Sequence, residues 1–112
     1  MKYMGSKRRI RNEICTYINN IAFCENINNY IEPFVGGANI IEYVNIKNRT
    51  GYDLNKYLIA LYKKLQQDDI FEYPALTREQ WNNIRYNKDK YADWLVCWAG
   101  LFCSFKNIWF RG

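Results

Sequence analysis

The chain has 112 residues, of which 49% are hydrophobic and 24% are charged. This composition excludes a disordered tail or a fibre and fits one folded domain or part of one. No run of residues approaches the roughly 20 apolar residues of a membrane helix. Basic residues from Lys7 onwards interrupt the place where a signal peptide has its apolar core. We therefore expect a cytoplasmic protein.

The sequence contains no histidine, and its net charge of +5 is unevenly placed. Residues 1–11 hold five basic side chains and no acidic one, whereas residues 12–112 hold eleven of each sign. The lack of histidine removes the commonest general base and metal ligand. The cysteines form no C-x-x-C pair, so we expect no metal site and interpret them as reduced thiols of the core. The four cysteines are Cys15, Cys24, Cys97 and Cys103.

Apolar residues at helical spacing predict a helix over residues 6–23, with Ser6 as its cap. The predicted apolar face consists of Ile10, Ile14, Tyr17, Ile18 and Ile21. Lys7, Arg8 and Arg9 then occupy the first turn, where the helix dipole disfavours cations by about 0.3–1 kcal/mol each. This conflict indicates either an anionic ligand at the helix start or an ordinary solvated helix end.

The centre of the chain has the pattern of a β–α–β unit. Residues 29–35 are predicted to form a short buried strand that stops at Gly36-Gly37, residues 38–46 a helix, and residues 49–54 a second strand. In this helix the inward residues would be Ile40, Ile41 and Val44. This order of elements implies two neighbouring parallel strands.

Only helical patterns follow the second strand. A helix is predicted over residues 55–67, a T-x-x-Q capping box at Thr77 and Gln80, and a last helix over residues 88–105. Aromatic residues gather in this half, and we expect Trp109 and Phe110 to form an exposed tail. Exposed aromatic side chains can stack on bases or pack on a protein partner.

The glycine turn and the acid after the second strand are the residues that indicate a ligand-binding site. Gly36 and Gly37 let the backbone approach a ligand closely, and in nucleoside-binding units an acid at the place of Asp53 accepts hydrogen bonds from ribose hydroxyls. The pair suggests an adenosine-containing ligand. Two structural alternatives remain: a plain tight turn at the glycines, and Asp53 as the N-cap of the next helix.

Three segments in this order resemble the Dam-like adenine-N6 DNA methyltransferases of bacteria and phages. The segments are K-Y-M-G-S-K at residues 2–7, Y-I-E-P-F-V-G-G at residues 30–37 and G-Y-D-L-N at residues 51–55. Weaker likeness continues to S-F-K-N-I-W-F-R-G at residues 104–112, where Lys106 and Asn107 stand in place of two family glycines.

The resemblance implies that S-adenosylmethionine binds at the matching positions. These cofactor-binding positions are Lys7, Glu32, Phe34, Gly36, Gly37 and Asp53. Lys7 would pair with the carboxylate of the methionine part, Asp53 would accept from the ribose, and Glu32 would act as an acceptor behind them. Nucleic acid or an acidic partner would meet the remaining basic residues. These are Arg8, Arg9 and Arg11 at the N-terminus, with Arg78, Arg85, Lys88 and Lys90 in the region that matches the family's DNA-recognition insertion.

The family's catalytic D-P-P-Y motif is absent from the sequence, whose two prolines, Pro33 and Pro74, are not adjacent. The resemblance therefore implies an α/β fold that is a truncated Rossmann-like methyltransferase core of two or three parallel strands with flanking helices, followed by a helical C-terminal half. Residues 1–55 would be the cofactor-binding part and residues 56–112 the recognition part, within one compact unit.

Three functions fit this arrangement. One is a non-catalytic binding protein of phage or mobile-element origin in a bacterial host, which binds S-adenosylmethionine, nucleic acid (DNA or RNA) or both. A second is an inhibitor of a host defence nuclease, of the anti-CRISPR or anti-restriction type. A third is one half of a split DNA adenine methyltransferase. An incomplete sheet exposes an edge, so we expect a homodimer or a protein partner.

Overall fold

A computed structural model describes all 112 residues, which fall into two units, Met1–Leu54 and Asn55–Gly112. The first unit contains a two-stranded parallel sheet, and the second contains only helices and turns. The mixed helix and sheet content agrees with the predicted fold class, and the number of parallel strands is two. The roles assigned to residues 1–55 and 56–112 stay predictions.

The N-terminal helix begins with a tight turn. Residues Lys7–Ile10 form a 3₁₀ turn, and the α-helix proper is α1, Arg11–Cys24. The Ser6 hydroxyl caps the turn by accepting a hydrogen bond from the backbone N–H of Arg8 (3.2 Å), as predicted. The predicted apolar face is only partly buried. Ile14 and Ile18 pack on the core, whereas Ile10, Tyr17 and Ile21 are exposed.

The two predicted strands are present and parallel, although both are shorter than expected, and the prediction of a buried first strand is wrong because only Glu32 of this strand is buried. Strand β1 is Asn29–Glu32 and strand β2 is Asn48–Gly51, with Ile31 opposite Thr50. Strand β1 stops at Pro33, which has no N–H to donate. Two further backbone bonds extend the contact, from Tyr52 N to Glu32 O and from Val35 N to Tyr52 O (both 2.8 Å).

The helix predicted over residues 38–46 is wrong, because this connection consists of turns. Ala38 has a left-handed φ of 57°, which an α-helix does not allow. Side chains from the strands then take the backbone groups that a helix would need. The Glu32 carboxylate accepts from Ile41 N (3.1 Å), and the Arg49 guanidinium donates to three carbonyls of the segment. The apolar side chains of the segment still reach the core, where Ile40 and Val44 are 2% exposed.

Helices of the second unit follow the predicted order with one break. Helix α2 is Lys56–Gln67 and helix α3 is Arg78–Tyr86, which carries both hydrogen bonds of the predicted capping box. The single helix predicted over residues 88–105 is wrong, because the backbone is extended at Tyr91 and Ala92. In its place are a 3₁₀ turn (Lys88–Lys90), helix α4 (Asp93–Cys97), a π-helical turn (Trp98–Phe102) and a 3₁₀ turn (Phe105–Asn107).

The core of the second unit forms around Trp81 of helix α3. Its indole N–H donates to the Ala99 carbonyl (2.9 Å), so the one polar atom of the ring is paired. Phe110 packs against Trp81 with ring centroids 5.5 Å apart and is 5% exposed. The prediction of an exposed tail is therefore wrong for Phe110. Trp109 is 37% exposed and stacks on Tyr57.

The cysteines divide into two classes. Cys15 and Cys97 are buried, as predicted, whereas Cys24 and Cys103 are exposed, which corrects their assignment to the core. Burial raises the pKa of the Cys97 thiol to about 12. All four are free thiols.

Candidate functional site

A cleft of about 220 Å³ lies in the first unit, at the carboxyl ends of the two parallel strands. This is the edge of an α/β sheet at which ligands commonly bind. The structure brings all six predicted cofactor-binding residues to this cleft from three separate segments. The lining residues are Tyr3, Gly5, Ser6, Lys7, Glu32, Phe34, Val35, Gly36, Gly37, Asn39, Ile40 and Asp53.

Lys7 connects the N-terminal segment with the end of strand β1. Its ammonium group donates to the carbonyl oxygen of Phe34 (3.3 Å) and lies 3.4 Å from Glu32 Oε1. The side chain is 44% exposed, so the ion pair is screened by water and contributes little to stability. An ammonium has three donors. Lys7 can therefore keep these contacts and also meet an anionic group that enters the cleft.

Glu32 lines the cleft, but its carboxylate is almost completely buried. Its carboxylate is 8% exposed and accepts from the N–H of Ile41 (3.1 Å) and from the hydroxyl of Tyr30 (3.4 Å). Burial, and after it the neighbouring Glu32 carboxylate, raises the pKa of Tyr30 to about 12. Glu32 therefore holds the connection between the strands in place and presents one oxygen to Lys7.

The two glycines are required for different reasons. Gly36 has a left-handed φ of 47°, which side chains other than glycine adopt at a cost. Gly37 is packed closely, because a Cβ atom there would lie 2.7 Å from Asn39 Nδ2 and 3.0 Å from Met1 O. The N–H of Gly36 donates to Asp53 Oδ2 (3.0 Å), so this donor serves the turn itself rather than a ligand.

Asp53 stands two residues after the end of strand β2 and accepts a hydrogen bond from the glycine turn. The alternative that Asp53 caps the next helix is wrong, since Asn55 is the N-cap and accepts from the N–H groups of Tyr57 and Leu58. A carboxylate offers about four acceptor positions, so the bond to Gly36 N leaves Asp53 chemically able to accept further hydrogen bonds. Beside it, Phe34 is 74% exposed and presents an aromatic ring at the cleft.

Sequence reasoning missed Asn39, which lines the cleft and is only 5% exposed. Its side chain binds the N-terminal segment through Met1 and Ser6. The available signal was an amide side chain in an otherwise apolar run, A-N-I-I, directly after the glycine turn. A buried amide in such a position needs hydrogen-bond partners, and the nearest polar segment supplies them.

The basic residues predicted to meet nucleic acid differ in their local contacts within each unit. In the first unit, Arg8 and Arg9 are exposed beside Lys7, whereas the guanidinium of Arg11 lies 3.9 Å above the ring of Tyr43. In the second unit, three of the four predicted residues pack on aromatic rings of their own unit. Arg78 and Arg85 lie over Trp81, Lys88 lies over Phe110, and Lys90 is exposed. Their phosphate contacts stay a prediction.

Parallel strands, a glycine turn and an acid after the second strand define a protein of mixed helix and sheet with a cleft at the sheet edge where ligands of α/β proteins commonly bind. A family model of the D12 class N6 adenine-specific DNA methyltransferases matches residues 3–94. Because this match spans most of the chain, the protein belongs to that family, which confirms the resemblance drawn from the three motifs. A search of curated proteins and a search of solved structures found no match. None of the helices has the length and apolar character needed to cross a membrane.

Proposed function

We propose that this chain is a methyltransferase-family binding protein that holds S-adenosylmethionine in the cleft without transferring the methyl group itself. The observation that carries the proposal is the convergence of Lys7, the glycine turn and Asp53 on one cleft from three distant segments. The family generally uses this cofactor, and its catalytic D-P-P-Y motif is not among the 112 residues.

The chemistry of the cleft suits the two polar ends of the cofactor. The ammonium of Lys7 complements a carboxylate, and the carboxylate of Asp53 accepts hydrogen bonds from vicinal ribose hydroxyls. The cleft volume of about 220 Å³ is below the range of about 300–1,000 Å³ in which drug-sized ligands are enclosed. We therefore place part of the cofactor outside the cleft, against the exposed ring of Phe34, which predicts weak binding.

Calorimetry with S-adenosylmethionine and S-adenosylhomocysteine tests the proposal. A hydrogen bond to a charged group contributes about 1.5–3 kcal/mol, so Asp53→Ala is expected to weaken binding by about 10- to 150-fold. Asp53→Asn keeps an acceptor for Gly36 N and separates the loss of charge from a disturbed turn. Lys7→Met keeps the apolar stem and removes the charge.

Asp69→Ala is the matched control, because Asp69 is an exposed acid of the other unit. It should bind the cofactor as the unaltered protein does. Absence of heat at millimolar cofactor would reject the proposed function. Unchanged affinity in both Asp53 variants would place the cofactor elsewhere.

Nucleic acid is the proposed second ligand, and the exposed pair Arg8 and Arg9 is its expected contact beside the cleft. Each phosphate neutralised by a basic side chain contributes about −0.9 to the salt slope of binding to double-stranded DNA. We expect the double variant Arg8→Ala/Arg9→Ala to reduce the slope by about 2. A slope equal to that of the unaltered protein would remove these two arginines from the interface.

The uncovered sheet favours a protein partner as a second candidate function, namely one half of a split methyltransferase. Parallel sheets are normally covered on both faces, yet Ile31 of strand β1 is 62% exposed beside Thr50. A polypeptide that supplies further strands, the helices that pack on the sheet and the D-P-P-Y motif would cover this surface. Co-expression with such a polypeptide should give a complex that Ile31→Glu disrupts, whereas co-purification with a nuclease would favour the inhibitor.

A further inference from the structure

The N-terminal segment, residues 1–7, forms one wall of the cleft, and Tyr3 is its residue that packs beside the two glycines of the turn. None of its residues is fully buried, and Met4 is 69% exposed. The 3₁₀ turn that follows, Lys7–Ile10, also contains no buried residue. The position of this wall, and with it the position of Lys7, therefore depends on polar contacts as well as on the packing of Tyr3.

Asn39 supplies the longest-range of these contacts. Its Nδ2 donates to Met1 O (2.8 Å) and to Ser6 Oγ (2.7 Å), and its Oδ1 accepts from the amino group of Met1 (2.9 Å). One buried amide thus binds both ends of the six-residue segment that precedes Lys7. The same contact requires glycine at position 37, because a side chain on Gly37 would collide with Met1 O and Asn39 Nδ2.

The contact with Ser6 leads directly to Lys7. The hydroxyl that accepts from Asn39 also accepts from Arg8 N (3.2 Å), which starts the 3₁₀ turn containing Lys7. Ser6 N in turn donates to Tyr3 O (3.0 Å) and closes the loop before it. At the far side of the cleft, Lys7 reaches the carbonyl of Phe34. Ser6 is therefore the residue through which the hydrogen bonds of Asn39 reach the turn that carries Lys7.

We propose that Asn39 is a positioning residue of the cofactor cleft, which fastens the N-terminal segment against the glycine turn and so holds Lys7 where a carboxylate can meet it. The proposal rests on the proposed function for the ligand. Asn39 acts through Lys7, and its own amide groups are occupied by Met1 and Ser6.

Amide hydrogen exchange and cofactor affinity, measured on the same variants, test this role. In Asn39→Ala we expect exchange at the Ser6 and Arg8 amides to accelerate at least about tenfold, since three hydrogen bonds are lost, one of them from the charged amino group of Met1. The amides of strand β2 should exchange as before. Affinity for S-adenosylmethionine should fall about tenfold in the unaltered background and less than about twofold in a Lys7→Met background, where the positioned group is missing.

Asn19→Ala is the matched control. Its Oδ1 accepts from Asn45 N (2.8 Å), a contact of similar sequence separation in the same unit, and Asn19 does not line the cleft. This variant should change neither the Ser6 amide nor the affinity. If Asn39→Ala does not fold, Ser6→Ala removes the contact with Asn39 from the other side and should show the same loss of affinity and faster exchange at the Ser6 amide. The Arg8 amide is not used in this variant, because the Ser6 hydroxyl is its own acceptor.

The possible failures are distinguishable. If the amides of the segment exchange in Asn39→Ala as in the unaltered protein, other contacts hold this wall. If they exchange faster but the affinity is unchanged, Asn39 has only a structural role. Each result overturns the proposal. An equal loss of affinity in both backgrounds would do so as well, because Asn39 would then act independently of Lys7. If the unaltered protein binds no cofactor, the proposed function fails and with it the cofactor role of Asn39, while the exchange data still decide whether Asn39 orders the segment.

Discussion

Replacing Lys106 by glycine should stabilise the second unit. Lys106 has φ 55° and ψ 24°, and Asn107 follows with φ 56°, so two consecutive residues adopt the left-handed conformation. The family pattern S-F-G-G-K-W-F-G-G-Y, which this segment resembles, has glycines at these positions. The loop keeps a conformation that suits glycine, because Phe105 N donates to Arg111 O (2.7 Å) and Asn107 N to Ser104 O (3.2 Å).

The expected magnitude follows from two opposing terms. A left-handed conformation costs a residue with a side chain about 1–2 kcal/mol, and glycine loses about 0.5–1 kcal/mol more backbone entropy on folding. Lys106 is exposed, and the contact of its ammonium with the Phe105 ring (5.4 Å) is weak. We expect Lys106→Gly to raise the free energy of unfolding by about 0.5–1 kcal/mol, which is about 2–6 °C in Tm. Asn107→Gly should gain less, because asparagine tolerates this conformation and its Nδ2 donates to Leu101 O.

Denaturant unfolding followed by tryptophan fluorescence measures the effect. All four tryptophans lie beyond residue 80, so the signal reports the second unit. Lys63→Gly is the control, since Lys63 is exposed within helix α2 and glycine there should cost about 1 kcal/mol. If Lys106→Gly destabilises the unit as Lys63→Gly does, the left-handed conformation is not under strain and the reasoning is refuted.

Three further changes test other parts of the structure. Gly100→Ala places a Cβ atom 2.7–2.9 Å from the rings of Trp109 and Phe110, so the free energy of unfolding should fall by about 1–3 kcal/mol. A variant as stable as the unaltered protein would contradict this packing. Tyr30 has a pKa of about 12 in the folded protein and about 10 in the unfolded chain. Its neutral hydroxyl therefore stabilises the folded protein fully below pH 10, and this stabilisation is lost as the pH rises towards 12. Tyr30→Phe should remove the latest tyrosinate component of a spectrophotometric titration, and a titration that keeps it would assign the shift to another residue. Arg49→Ala leaves three carbonyls of the strand connection without their donor and should cost about 1–2 kcal/mol in thermal unfolding, with partial recovery in Arg49→Lys.

Local patterns predicted the elements whose stability depends on neighbours in sequence. The capping box at Thr77 and Gln80 formed as expected, because both partners lie within one turn. Helix α2 follows its apolar face, with Leu58 and Leu61 buried. Both strands were found, and their parallel pairing followed from their order around the glycine turn.

The predictions that were wrong concern segments whose surroundings are set by residues distant in sequence. Residues 38–46 have the apolar spacing of a helix, yet Glu32 and Arg49 bind their N–H and carbonyl groups and hold them as turns. Phe110 was placed on the surface because nothing local showed that Trp81 would cover it. Asn39 was overlooked because its partners lie more than 30 residues away.

Short motifs and periodicity act over a few residues, and they were enough to predict the family, the two parallel strands, helix α2, the capping box and the residue types at the cleft. The irregular strand connection, the hydrogen bond from Gly36 N to Asp53, and the hydrogen bonds from Asn39 to Met1 and Ser6 became visible only in the folded chain. The physical reason is that every buried polar group needs a partner. Which partner it finds depends on which distant segments the fold brings within hydrogen-bonding distance.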